Sequence, residues 1–287
     1  MPYTHLISAA ELQALQASGA PLRIFDCSAE LGNPGAADAM FAQARIAGAV
    51  QAHLERDLSA HDPAHAVNGG RHPLPTREHF AAWLASVGFD NRMQAVVYDR
   101  NGGNYCGRLW WMLKWAGHDA VAVLDGGLQA WQAAGGALAS GPAPAPAAPG
   151  RFALQPPLRR LVLQGEVRQA LGAGGQTLID ARGAPRFRGD TEPLDPIAGH
   201  IPGALNRPFS DNFGDGGRFK PAARLRAEFE ALLAGRDPAG VVHQCGSGVS
   251  AVPNLLAMEL AGYAPTGLYA GSWSEWSRTP GLPVARG

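Results

Sequence analysis

The chain reads Gly240-Val241-Val242-His243-Gln244-Cys245-Gly246-Ser247-Gly248-Val249-Ser250-Ala251-Val252-Pro253-Asn254-Leu255-Leu256 towards its C-terminal end. A short apolar run, a loop of small residues entered through a cysteine, and an apolar stretch opening on proline predict a buried strand, a tight loop and a helix. Pro253 needs no N–H partner in a first helical turn, which places the helix start there. Glycines at 246 and 248 let the backbone curl so that successive N–H groups gather around one point. The helix N-terminus adds unsatisfied donors and partial positive charge at the same place. A sulfur held there is favoured as thiolate, and the same cradle suits the outer sulfur of a persulfide. A Cys-centred loop also serves phosphatases, which place an Arg six residues after the Cys to fork the phosphate; here that position is Ala251, which sets that chemistry aside.

The same strand–loop–helix grammar recurs upstream. Short apolar runs at 22–25, 95–98, 121–124, 177–179 and 266–269 alternate with helical stretches at 77–87, 108–116, 161–171, 223–234 and 252–261. Alternation of this kind predicts an α/β fold with a mainly parallel sheet, whose sites gather at the carboxyl ends of strands. The chain also repeats itself. Asp26 falls on Asp180, Ala47-Gly48-Ala49 on Pro202-Gly203-Ala204, Asp99 on Cys245, Ala116-Gly117-His118 on Ala261-Gly262-Tyr263, and Gly126-Gly127 with Trp131 on Gly271-Ser272 with Trp276. Five blocks in one order, offset by about 145–155 residues, define a duplication. Between the halves lies Ala139-Ser140-Gly141-Pro142-Ala143-Pro144-Ala145-Pro146, an alternation that favours an extended spacer. The expected organisation is a first domain over 1–138, a Pro/Ala-rich linker over 139–157 and a second domain over 158–287.

Composition bounds the function. With 287 residues, 46% of them hydrophobic, the chain has material for two cores. Lys+Arg and Asp+Glu both number 24, which argues against nucleic acid or a membrane surface held by bulk charge. No apolar run reaches the ~18–20 residues of a membrane span, and the first residues do not read as a secretory signal. Three cysteines, Cys27, Cys106 and Cys245, are odd in number and far apart, so reduced thiols in the cytoplasm are expected. The nine His show no metal-type spacing, and no metal or organic cofactor is expected. Trp110, Trp111 and Trp115 are expected to serve core and domain-interface packing rather than a cofactor, and His243 to pack on the sheet.

Cys-Gly-Ser-Gly-Val-Ser-Ala at 245–251, Gly-His-Ile-Pro-Gly-Ala at 199–204, Asp125-Gly126-Gly127 with Trp131, and Gly271-Ser272-Trp273 with Glu275-Trp276 together resemble the two-domain rhodanese-like sulfurtransferases, in their 3-mercaptopyruvate sulfurtransferase branch. The resemblance implies two tandem rhodanese-like α/β domains, the first catalytically silent. The duplication agrees independently, because Asp99 stands where the second half has Cys245 and cannot carry sulfane sulfur. The loop after Asp99 is longer, and it is not expected to form the same cradle.

The resemblance further implies a Cys245 nucleophile within a loop made of Gly246, Ser247, Gly248, Val249 and Ser250. It implies a Ser247 hydroxyl backed by His72 and by an acid at Glu55, where the family usually has Asp. Arg186, with Arg188 beside it, falls on the family's substrate arginine motif. The second substrate Arg is missing: Leu194-Asp195-Pro196-Ile197-Ala198 precedes Gly199 without a cation. Arg188 or a basic residue of the first half would have to substitute, or the donor differs. Thiosulfate-using relatives carry basic residues after the Cys; the uncharged Gly246 and Ser247 suit a monoanionic thiol acid. The expected reaction moves sulfur from 3-mercaptopyruvate through a Cys245 persulfide to cyanide, a small thiol or reduced thioredoxin. Thiosulfate:cyanide sulfur transfer is the alternative, and a rhodanese-fold binding or redox-sensing protein without turnover is a third.

Overall fold

The computed structural model describes residues 1–142 and 148–287. The spacer reading of Ala143 to Ala147 lies outside the described residues. The strands are β1 (Leu6–Ile7), β2 (Leu22–Asp26), β3 (Arg45–Ile46), β4 (Val50–Gln51), β5 (Gln94–Tyr98), β6 (Val121–Leu124) and β7 (Leu138–Ala139), then β8 (Arg160–Val162), β9 (Thr177–Asp180), β10 (Leu205–Asn206), β11 (Val241–Gln244) and β12 (Gly267–Tyr269). The helices are α1 (Ala9–Ala17), α2 (Gly35–Gln43), α3 (Arg77–Ser86), α4 (Cys106–Trp115) and α5 (Gly127–Ala133), followed by α6 (Gln164–Ala170), α7 (Ala184–Arg188), α8 (Ala222–Leu233), α9 (Val252–Leu260) and α10 (Ser272–Trp276).

Two compact units result. The first gathers Met1–His65, Pro75–Leu158 and Gly214–Phe219; the second gathers Ala66–Leu74, Arg159–Phe213 and Lys220–Gly287. Each unit thus takes a short segment from the other half of the sequence, and residues 66–74 are the consequential one.

The first unit's five-stranded sheet runs β1-β6-β5-β2-β4, all parallel, and the second runs β8-β12-β11-β9-β10, all parallel. Strand for strand the orders are the same, so the duplication seen in sequence is a duplication of fold. In both sheets the central strand, β5 or β11, is buried throughout, as a parallel strand covered on both faces must be. One core collects Ile7, Ile24, Val96, Tyr98, Leu124 and Trp131, the other Val162, Ile201, Val242, Tyr269, Trp273 and Trp276. Trp110 and Trp111 are fully buried on α4, as expected of core packing.

The expected helix over 161–171 is corrected. Leu161 and Val162 pair with Leu268 and Tyr269 in β8, and the helix begins only at Gln164, where the Glu166 carboxylate accepts from the Leu163 N–H at 2.9 Å. A leucine and a valine beside a waiting sheet edge gain more as a strand than as a helical turn.

Candidate active site

Cys245 follows β11 directly and is 2% exposed. Its N–H donates to Ser272 Oγ at 3.1 Å, and that hydroxyl donates to the Tyr269 carbonyl at 2.8 Å. Its carbonyl accepts from the Trp273 N–H at 3.0 Å, and the Gly246 carbonyl from the Ser274 N–H at 2.8 Å. The start of α10 therefore fixes both residues. Gly248 has φ +74°, and a Cβ there would collide with the Ala270 carbonyl, so only glycine makes this bend. The loop ends at α9, with Pro253 in its first turn as expected.

The N–H groups of Gly246, Ser247, Val249, Ser250 and Ala251 have no protein acceptor among the described residues. The first unit shows what such a loop does when given an anion. Asp99, fully buried after β5, accepts from the N–H groups of Asn101 and Gly103 at Oδ1 (2.8 and 2.9 Å) and of Tyr105 and Cys106 at Oδ2 (2.8 and 2.9 Å). The longer loop does form a cradle, and its own carboxylate fills it. The expectation of no such cradle is corrected to a cradle that is permanently occupied.

Ser247 Oγ stands 2.7 Å from His72 Nδ1, and both side chains are buried. The two are 175 residues apart and meet because residues 66–74 pack as part of the second unit. Glu55 lies in the first unit, where its carboxylate is 2.9 Å from His61 Nε2.

A methyl group built on Gly246 would lie 3.1 Å from Arg71 Nη2, 3.7 Å from Arg186 Nη1 and 3.8 Å from Arg186 Nη2. Two guanidinium groups therefore flank the residue next to Cys245, and the surroundings of this uncharged loop are not neutral. Arg186 is held by Glu192 (Nη2–Oε1 2.6 Å) and Asp195 (Nη2–Oδ2 3.4 Å). Arg188, by contrast, is half exposed and is paired with Asp190 at 2.7 Å. Of the two expected substrate arginines, the structure brings Arg186 to the loop and turns Arg188 to its neighbour. Arg71, Ser272, Ser274, Glu192 and Asp195 were not singled out from sequence; the missing second cation was the one signal pointing to a residue such as Arg71.

The other two cysteines lie elsewhere. Burial, then Asp26 and Asp99, push the Cys27 thiol well up; burial, then Asp99, do the same to Cys106, so neither is disposed to ionise. Among the described residues no cluster of His, Cys, Asp and Glu is arranged to hold a metal ion, and no helix is long and apolar enough to cross a membrane.

A family model described as the rhodanese-like domain matches residues 8–134 and again 163–279. A "Probable 3-mercaptopyruvate sulfurtransferase" of Pseudomonas aeruginosa is 45% identical over 288 residues, with all of both chains covered. A candidate thiosulfate sulfurtransferase of Mycobacterium tuberculosis, SseB, is 41% identical over 98% of this chain and 97% of its own. Among solved structures, SseA of Escherichia coli, a 3-mercaptopyruvate sulfotransferase, superposes with a TM-score of 0.78 at 30% identity, covering 95% of this chain and all of that one.

Proposed function

The chain belongs to the rhodanese-like family of sulfurtransferases, and we propose that its Cys245 takes sulfane sulfur from 3-mercaptopyruvate, holds it as a persulfide and passes it to a thiol or to cyanide. The observation that carries this reading is the loop itself: a cysteine at the end of β11, backbone N–H groups without protein acceptors around it, and a Ser247–His72 pair 2.7 Å apart beside it.

Cys245 thiolate attacks the donor sulfur, and the carbon–sulfur bond breaks with its electron pair going to carbon. The resulting enolate takes up a proton and leaves as pyruvate. The thiol proton of the donor is the one to be moved, and a serine hydroxyl hydrogen-bonded to a histidine is suited to carry it from sulfur to carbon. The family pattern alone assigns Glu55 to this relay as its acid. The outer sulfur, anionic after loading, matches the N–H groups of Gly246, Ser247, Val249, Ser250 and Ala251, which have no protein acceptor among the described residues. An acceptor thiolate or cyanide then attacks that sulfur, and Cys245 leaves as thiolate, ready for the next turn. A small thiol or reduced thioredoxin in the cytoplasm is the acceptor this reading proposes for the second step, since a thiolate is the nucleophile it requires.

Thiosulfate is the second reading. The guanidinium groups of Arg71 and Arg186 beside Gly246 offer N–H donors to any anion held there, thiosulfate included, and thiosulfate transfer releases sulfite without moving a proton. Parallel kcat/KM values for the two donors choose between them, with the higher value expected for mercaptopyruvate.

The chemistry itself is tested by mass. Incubated with mercaptopyruvate, the protein is expected to gain one sulfur atom, lose it to cyanide, and gain nothing as Cys245→Ser. A sulfur adduct persisting in that variant would remove Cys245 from the reaction.

A further inference from the structure

We infer that Arg71, which lies outside the family's substrate-arginine motif, supplies the second cation for the donor's carboxylate and forms with Arg186 a two-pronged receptor above Gly246. The inference rests on the mercaptopyruvate reading and deepens it. Three observations converge on this residue.

The first is placement. Arg71 Nη2 comes nearer to the Gly246 position, at 3.1 Å, than either Nη of Arg186. Its Nε is buried without a hydrogen-bond partner. A buried N–H donor left unmade is costly, and a ligand that accepts from it recovers that cost.

The second is charge. Asp195, with a fully buried side chain, is gripped by Arg71 (Nη1–Oδ1 2.8 Å), Arg186 (Nη2–Oδ2 3.4 Å) and Arg278 (Nη1–Oδ1 2.9 Å). Glu192 joins Arg186 to Arg182, and Asp180 closes on Arg182 at 2.7 Å. Four arginines thus face three carboxylates, and one positive charge is left for a monoanion. Asp195 occupies the stretch where the family motif has its second arginine. It serves as the template that holds arginines from elsewhere in the chain in place of that cation.

The third is anchoring. The Gly69 N–H donates to Glu275 Oε1 at 2.6 Å, and the Arg71 N–H to Ser274 Oγ at 2.9 Å. Gly70 between them has φ +95°, and a Cβ there would meet the Gly271 carbonyl at 2.7 Å. Ser274 also donates its N–H to the Gly246 carbonyl. One serine therefore ties the backbone of Arg71 to the residue after the nucleophile, and so fixes the guanidinium relative to Cys245. A preorganised guanidinium loses little freedom on binding a carboxylate.

The test compares two alkylating agents of nearly equal size, iodoacetate and iodoacetamide, which differ in a carboxylate. In Arg71→Gln the rate of Cys245 modification by iodoacetate is expected to fall about tenfold or more relative to iodoacetamide, and KM for mercaptopyruvate to rise roughly 10–100-fold, the loss of one charge-assisted contact. An unchanged iodoacetamide rate marks the loop as intact. Should Arg71→Gln lose that rate too, Arg71→Lys decides: the charge remains, so the iodoacetate preference is expected to survive, but the fork is gone and KM still rises. A wild-type alkylation ratio and a wild-type KM in Arg71→Gln, or a wild-type KM in Arg71→Lys, would overturn the inference. If the wild type turns over thiosulfate and not mercaptopyruvate while the alkylation ratio still falls in Arg71→Gln, the donor assignment fails and the inference stands. If mercaptopyruvate is turned over and neither quantity moves, the reverse holds.

Discussion

Arg186 and Arg188 stand two residues apart with similar sequence surroundings, yet their side chains meet different environments. Arg186 is about one-fifth exposed and shares Glu192 and Asp195 with other arginines, so its removal leaves neither carboxylate alone: Glu192 keeps Arg182, and Asp195 keeps Arg71 and Arg278. Arg186→Ala is therefore expected to fold and to lose binding. A charge-assisted hydrogen bond to the donor is worth roughly 1.5–3 kcal/mol, which gives a drop of about 10–100-fold in kcat/KM, carried mainly by KM. Arg188→Ala removes a solvent-screened pair with Asp190, half exposed on both sides, and exposed pairs contribute little; its kcat/KM is expected to stay within about threefold. Steady-state kinetics with mercaptopyruvate check both, and equal losses in the two variants would contradict the placement of Arg188.

At the scale of elements, β11 carries one residue at odds with its surroundings. His243 packs in the sheet as its apolar neighbours predict, but neither ring nitrogen has a partner among the described residues. Burial, with the nearby Arg207, pushes its pKa down to about 3. An unfolded histidine titrates near ~6.5, so the unfolded chain binds this proton first. Its contribution is complete above pH ~6.5 and is lost as pH falls towards 3, at up to about 1.4 kcal/mol per unit. Between pH 7.5 and 5.0 the wild type is expected to lose about 2 kcal/mol more than His243→Leu. Urea unfolding at the two pH values measures this, and parallel losses would mean that the ring is protonated in place.

The elements also show where sequence reading stops. The strands of four and five residues, such as β2, β5 and β11, announce themselves as apolar runs, whereas the three-residue β8 reads as the start of the helix that follows it. The two-residue strands β1, β4 and β10 are too short for any periodicity, and the sheet alone defines them. Cys245, Ser247 and Arg186 were legible because each sits in a local motif with a chemical reason. The Arg71–Asp195 pair was not, because its partners are 124 residues apart and no local pattern joins them.

At the scale of the whole molecule, the duplication allows each half to be read against the other. The same strand, β5 or β11, ends in a loop that gathers N–H groups. In the second unit the residue at its head is Cys245; in the first it is Asp99, whose carboxylate takes four of those groups for itself. A carboxylate there is a permanent anion where, under the proposed reaction, the second half holds a transient one, and on that reading the first loop is scaffold. Asp99→Asn keeps the shape but turns an amide NH2, itself a donor, towards two of the N–H donors. At roughly 1.5–3 kcal/mol for each hydrogen bond to a charged group, the first unit is expected to lose about 3 kcal/mol. Five of the seven tryptophans, Trp83, Trp110, Trp111, Trp115 and Trp131, belong to that unit, so tryptophan fluorescence in urea reports on it preferentially. The fluorescence midpoint is expected to move to lower urea, while the fraction of Cys245 loaded with sulfur in native buffer stays within about twofold of wild type, since units of a two-domain chain need not unfold together. A variant that lost sulfur loading with its unfolding midpoint unmoved would place Asp99 in the chemistry, and the scaffold assignment would fall.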